Sequence, residues 1–192
     1  ARTRDGLDVP NAQIIFAPLS YDLTEHGPRP YRKPAVGVGI GLCHIQSRGE
    51  VRLRSADPQD HPVIDYSLLD NPDDVAQLRE AIRLTRKIFA SPSMENYVVD
   101  ERLPGIQVSD DDQLDEYIRQ GSGLMYHPCG TCKMGHDELS VVDDKLQVHG
   151  IRGLWVADAS IFPTIPAGNI NATCIMVGEK AAAMISESEN KL

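Results

Sequence analysis

The chain has no run of apolar residues approaching the roughly 18 that a membrane span requires, so nothing in it is expected to cross a bilayer. It is short of positive charge, with 19 Lys and Arg against 28 Asp and Glu and a formal net charge of −9. That balance argues against nucleic acid, whose binding rests on cations neutralising phosphates, and makes a small neutral or cationic ligand easier to hold. Cysteine is sparse. Cys43, Cys129, Cys132 and Cys174 fall at irregular spacing, unlike a secreted disulfide framework, and no segment reads as a signal peptide, so a reducing, cytoplasmic setting is expected. There is no internal repeat, no low-complexity tract and no initiator Met; the start, Ala1-Arg2-Thr3-Arg4-Asp5-Gly6, suggests a processed or cleaved piece of a longer protein. What remains is an ordinary globular composition, long enough for one large domain or two small ones.

Alternation and turn chemistry place the elements. Ala12–Ala17 reads as a short buried strand and 35–45 as a longer one, separated by a Pro-rich crossing (Gly27-Pro28-Arg29-Pro30, then Pro34) expected to be irregular. Glycines 37, 39 and 41 resemble half of a dinucleotide fingerprint, but no helix opens after them; Ser47-Arg48-Gly49-Glu50 reads instead as a turn into the alternating strand Val51–Arg54, completing a hairpin. Asn71-Pro72-Asp73-Asp74 is a helix start, and Val75, Leu78, Ile82, Thr85 and Phe89 keep helical spacing as far as Ser91-Pro92, with Arg79, Glu80, Arg83 and Lys87 on an expected solvated face. A second helix starts at Ser109-Asp110-Asp111-Asp112 and runs to about Gln120; its acids lack the ligand spacing of a calcium loop. Residues 153–159 read as a buried strand. Pro163, Pro166 and the polar turn 168–171 come next, then an apolar helix from about Ala172 to Ile185 and a polar tail expected to fray from Ser186.

Chemistry concentrates at residues 127–136. His127, Cys129, Cys132 and His136 contain four plausible zinc ligands, though packing all four into ten residues leaves little chain for a metal to staple. Cys129-Gly130-Thr131-Cys132 has the spacing of a redox pair, but Lys133-Met134-Gly135-His136-Asp137 is a poor helix start. The third possibility is that His127 is a general base on a Gly-Thr turn. Asn169 and Asn171, in a Gly-flanked polar turn ahead of a helix, could then hydrogen-bond a developing alkoxide.

Several ordered motifs together carry a family likeness. His127-Pro-Cys-Gly-Thr-Cys-Lys-Met-Gly135, Val156-Ala-Asp-Ala-Ser-Ile-Phe-Pro163, Asn169-Ile-Asn-Ala172 and Gly178-Glu-Lys-Ala181, with Ser47–Pro58 and Ile64-Asp65-Tyr66 upstream, closely resemble the C-terminal part of glucose–methanol–choline (GMC) oxidoreductases. Asn169 places it nearest the choline dehydrogenase and aryl- or furfuryl-alcohol oxidase branch, since glucose-oxidising members carry His there. The resemblance implies an α+β fold: a mostly antiparallel substrate-domain sheet with flanking helices over residues 1–149, and a strand–loop–helix unit over 150–192 completing an FAD-binding domain. It implies FAD as cofactor and a primary alcohol as substrate. By the same resemblance His127 removes the alcohol proton while hydride passes to the flavin, and Asn169 orients the substrate. Tyr126 lines the pocket, Asp158 and Ala159 approach the phosphate and ribityl region, and Asn169, Ile170, Asn171 and Thr173 bring amides and a helix N-terminus to the flavin pyrimidine. Cys129 and Cys132 become packing residues. Two rivals remain, an FAD-containing hydroxynitrile lyase and a small non-enzymatic zinc module.

The family's strand–Gly-x-Gly-x-x-Gly–helix unit for the FAD adenosine diphosphate is missing from these residues. The resemblance therefore implies an N-terminal partner, as a separate chain or a fragment of the same enzyme. We expect the purified chain alone to be colourless and inactive. A yellow preparation holding stoichiometric FAD and oxidising alcohols would contradict this.

Overall fold

Two compact units make up the chain, and neither is contiguous in sequence. Ala1–Ser47 with Leu69–Gly123 form the first; Arg48–Leu68 with Leu124–Leu192 form the second. The structure is a computed structural model that describes residues 1–189. The division expected at 149/150 falls inside the second unit, because residues 130–134 hydrogen-bond to residues 159–161 across it.

The first unit contains β1 (Ala12–Ala17), β2 (Tyr21–Thr24), β3 (Gly27–Pro30) and β4 (Gly37–Leu42). β1 and β4 pair antiparallel, Ala12 opposite Leu42 and Ala17 opposite Gly37. Ile15 and Phe16 remain exposed, so β1 is half covered rather than buried as expected. The first part of the Pro-rich crossing is regular, β3 pairing with β2 in a hairpin with Pro28 opposite Leu23 and Pro30 opposite Tyr21, while the part that contains Pro34 is irregular as expected. β3 has β2 as its single partner among the described residues, and a proline's missing donor costs nothing on the open side of an edge strand.

Helix α1 (Pro72–Phe89) starts where its cap chemistry predicts, with the Asn71 side chain accepting from the Asp73 N–H and Pro72 in the first turn. Val75 and Ala81 are buried, and the helix lies against β1 and β4. Asp74 does more than face the helix dipole. Fully buried, its carboxylate accepts from the Gln46 N–H (2.8 Å), the Ser47 N–H (2.8 Å) and Ser47 Oγ (2.6 Å), while Ser47 Oγ accepts from the Asn71 N–H. The residues just ahead of the crossing into the second unit are thereby tied to the first turn of α1.

Helix α2 (Asp111–Gly121) is capped by Asp110, which accepts from the Gln113 N–H, and buries Leu114 and Ile118. The face of α1 expected to be solvated is the one that meets it. Arg79 reaches Asp115 (2.6 Å) and Asp111 (3.5 Å), and Arg83 bonds both Glu80 and Asp111. Arg83 holds the Asp111 carboxyl below the usual carboxylate range. Arg86 grips Glu101 and donates to the carbonyls of Gly105 and Val108, clamping the loop between the helices.

In the second unit β5 (Glu50–Arg52) pairs antiparallel with β6 (Val63–Asp65), not with β4 as the hairpin reading expected. Gly49 permits this, because a Cβ there would sit 2.0 Å from the Asp65 carbonyl oxygen. The core of the unit is Val142, Leu146, Ile161, Phe162 and Ile170, packed with Val177 and Ala181 of helix α3 (Asn171–Glu189). The strand expected over 153–159 does not form; that stretch makes one isolated bridge, Gln147 with Trp155, because no neighbouring strand among the described residues offers it a ladder. α3 continues past the expected fraying point at Ser186 to Glu189, and the last three residues of the expected tail lie outside the described residues. Among the described residues the architecture is thus helices with three separate two-stranded antiparallel sheets rather than one sheet. No described helix is long and apolar enough to cross a membrane.

We expect Asp74→Ala to destabilise the protein by about 2–4 kcal/mol, since it removes the acceptor of two part-buried backbone donors, each at ~1–2 kcal/mol, the lower part of the range for a lost buried partner. Urea denaturation followed by circular dichroism measures it, and a change under about 0.5 kcal/mol, the scatter of neutral surface substitutions, would show that the network is not needed.

Candidate active site

All the residues singled out from the sequence belong to the second unit. His127 is half-buried on an extended stretch that bends at Tyr126 and turns again at Gly130, and Pro128 restricts it to extended backbone. Beyond it the chain is stitched to a distant loop by three backbone bonds: the Gly130 N–H donates to Ala159 O (3.2 Å), Cys132 to Ser160 O (2.9 Å) and Met134 to Ile161 O (2.8 Å). Gly130 is at φ +87°, and a Cβ there would lie 3.1 Å from the Phe162 carbonyl oxygen. Glycine is required there both for the left-handed turn and for the close approach.

The far side of that ladder is a 3-10 turn, Ala159–Ile161, capped by Asp158, whose Oδ1 accepts from the Ser160 N–H (2.8 Å) and from Ser160 Oγ. One carboxylate oxygen of Asp158 is therefore committed to structure. The Ala159 carbonyl is also occupied, accepting from Gly130 and Phe162. Ten residues on, exposed Asn169 leads into buried Ile170 and the first turn of α3, where exposed Asn171 and half-buried Thr173 sit. The first backbone bond at this helix start is from Cys174 N to Ile170 O (2.9 Å). Among the described residues the amides of Asn171, Ala172 and Thr173 find no acceptor, and the side chains of His127, Asn169 and Asn171 have no hydrogen-bond partner. The structure thus gathers the expected residues in one unit, with the His127 turn anchored to the 158–161 turn, but makes no hydrogen bond between His127 and Asn169.

Residues 46–178 match the GMC oxidoreductase family. The oxygen-dependent choline dehydrogenases of Escherichia coli K12 and Shigella flexneri serotype 5b are each 43% identical to the chain over 188 residues, covering 98% of it and 34% of their own length. The chain belongs to the GMC oxidoreductases. Among solved structures it is similar to pyridoxine 4-oxidase from Mesorbium loti (TM-score 0.82, 30% identity, 93% of this chain and 35% of that one). It is also similar to a fungal aryl-alcohol oxidase (TM-score 0.74, 37% identity, 83% and 26%) and to the Aspergillus oryzae formate oxidase studied for modification of its FAD (TM-score 0.80, 30% identity, 96% and 33%). The chain spans about a third of the length of the curated relatives it matches.

Membership of the GMC oxidoreductases does not favour the metal and redox readings of residues 127–136. No three His, Cys, Asp or Glu among the described residues come together to hold an ion. Cys129 packs against the core while His136 is exposed near the His149 ring, 6.5 Å between centroids. Burial pushes the Cys129 thiol above its ordinary pKa, against a counteracting pull from Arg48; a redox nucleophile needs the reverse. The donors present do suit the polar edge of a flavin: unused amides at a helix start, two exposed carboxamides and an unpartnered imidazole. What sequence reasoning missed is Gly130 as the pivot and Arg48 near Cys129; the φ > 0 preference of glycine in a Pro-x-Gly turn was the available signal for the first.

With its pKa raised, Cys129 should carry less thiolate than an ordinary cysteine at pH 8. We expect it to react with iodoacetamide more slowly than a free cysteine in solution, the gap narrowing as pH rises; mass-spectrometric labelling reads the rate, and labelling faster than free cysteine would reverse the assignment.

Proposed function

We propose that this chain supplies the catalytic base and the flavin-facing helix of an FAD-dependent oxidoreductase that converts a primary alcohol to an aldehyde. The observation that carries the reading is the half-buried, unpartnered imidazole of His127, set on a stiffened turn tied to the loop that leads to the open start of α3. Family membership gives that arrangement its chemistry.

The His127 imidazole accepts the hydroxyl proton as the carbinol C–H bond breaks, so that alkoxide character builds on oxygen only as it is needed. Asn169 donates from its carboxamide to that oxygen and fixes the alcohol's orientation, which converts an encounter into a positioned reaction. Bound FAD would supply the two-electron acceptor for the carbinol hydrogen, chemistry that no side chain provides. Asn171 and Thr173, positioned by buried Ile170, would hold the pyrimidine edge, where the unused amides of Asn171, Ala172 and Thr173 and the positive end of α3 would favour negative charge. Tyr126 covers the pocket side. Asp158 keeps a second carboxylate oxygen for ribityl hydroxyls, with Ala159 alongside the phosphate–ribityl stretch.

The reading includes an N-terminal partner portion carrying the Gly-rich FAD fingerprint. The chain exposes 13,896 Å². A compact fold of its mass exposes ~9,000 Å², and two separate units of half that mass ~11,000 Å² together. The excess over even two independent units is on the order of 3,000 Å² on this chain alone, at least the one-sided share of an obligate interface, whose total over both partners is ~2,000–5,000 Å². Part of it is apolar and beside the site: Leu124, Met125, Ile175 and Met176 are all exposed.

In the assembled enzyme we expect His127→Ala to lower turnover by about 10²–10⁴-fold with flavin absorbance retained, the range for loss of a general base. A loss below tenfold would remove His127 from that role. Anaerobic bleaching of the flavin by an alcohol separates oxidation from a lyase reaction, which has no net redox change.

A further inference from the structure

Tyr126 stands out as a bulky residue at φ +60°, in the left-handed region that glycine occupies freely and other residues enter at a cost. Three other non-glycine residues with positive φ are found among the described residues. Ser67 and Leu69 are half-buried, and Leu146 at φ +65° is buried in the core of the second unit, where packing offsets the cost. Tyr126 is 89% exposed, and its hydroxyl has no hydrogen-bond partner among the described residues. Strain of this kind persists where something over-determines it and clusters at functional sites. Its neighbours supply the constraint on one side: Pro128 confines His127 to extended backbone, and Gly130 is bonded to Ala159. The remaining freedom in aiming the imidazole is the bend at 126.

We infer that Tyr126 is a positioning residue whose left-handed backbone, separately from its ring, aims His127 at the substrate oxygen. This rests on the reading of His127 as the base. A glycine would make the same bend more easily but would lay no aromatic surface over the pocket, so a tyrosine there combines a turn with a wall. The ring is left bare by this chain and is covered, in the assembled enzyme, by cofactor and substrate, which supply the packing that Leu146 obtains from the core.

Replacing the ring separates the two roles. Tyr126→Gly and Tyr126→Val both remove it, but glycine keeps the bend whereas the β-branched valine resists φ > 0. Flavin reduction by saturating alcohol is followed anaerobically in the assembled holoenzyme and expressed per bound flavin, so that loss of folding or of cofactor does not enter. We expect Tyr126→Val to be slower than Tyr126→Gly by about 10–10²-fold, the effect of misplacing a reacting group by about 1 Å. The difference should lie in the limiting rate rather than the half-saturating concentration, with Tyr126→Asn and Tyr126→Ala falling in order between them. Equal rates for glycine and valine, or an order that tracks side-chain size, would overturn the inference. If the wild-type flavin is not bleached at all, the proposed function fails, and the bend is then judged by crystal structures of the two variants. An imidazole displaced in the valine variant alone supports the inference; the same imidazole position in both refutes it.

Discussion

Three backbone hydrogen bonds, from Gly130, Cys132 and Met134 to the carbonyls of Ala159, Ser160 and Ile161, are the constraint on which the second unit depends. They join the turn after His127 to a loop some thirty residues away, and in doing so bring Phe162 and Ile161 into the core against Val142 and Val177. Without them the His127 turn and the start of α3 would be independent surface segments. With them, a candidate base and a row of unused amides are carried by one packed body. The anchors are backbone groups and glycine geometry, so they leave the side chains of His127, Asn169 and Asn171 free for a ligand.

Legibility in the sequence depended on the range of the interactions. α1 and α2 were readable almost to the residue because Asn71 and Asp110 cap them locally, and β1 because its apolar run is short and bounded by turn residues. Partner choice was not readable. Nothing near Glu50 says that it pairs with Asp65 rather than with β4, and the decisive fact, a backbone approach at Gly49 too close for any side chain, appears only in three dimensions. Pro28 and Pro30 misled because a proline-rich stretch is a poor strand in general but an acceptable one at an edge. Residues 153–159 misled in the opposite sense: their composition is that of a buried strand, and within the described residues the ladder that would make them one is missing.

The site was legible where chemistry is carried by residue type and opaque where it is carried by backbone. His127, Asn169 and the start of α3 stood out as candidates by residue type alone. The pivot at Gly130 and the bend at Tyr126 did not, since φ is not written in composition. The arrangement of 127–136 was opaque for the same reason: Cys129 and His136 are close in sequence, yet one packs against the core and the other is exposed.

The interleaving of the two units also sets an order of events during synthesis. Residues 48–68 belong with 124–192 and wait while the intervening segment is made, at ~5–20 residues per second a delay of roughly 3–11 s. The first unit, closed by Asp74 onto residues 46 and 47, can form during that interval and would hold β5 and β6 as a tethered, unfinished hairpin. A ribosome-bound chain released early would therefore present one finished unit and one orphaned pair of strands, a substrate for chaperones rather than for catalysis.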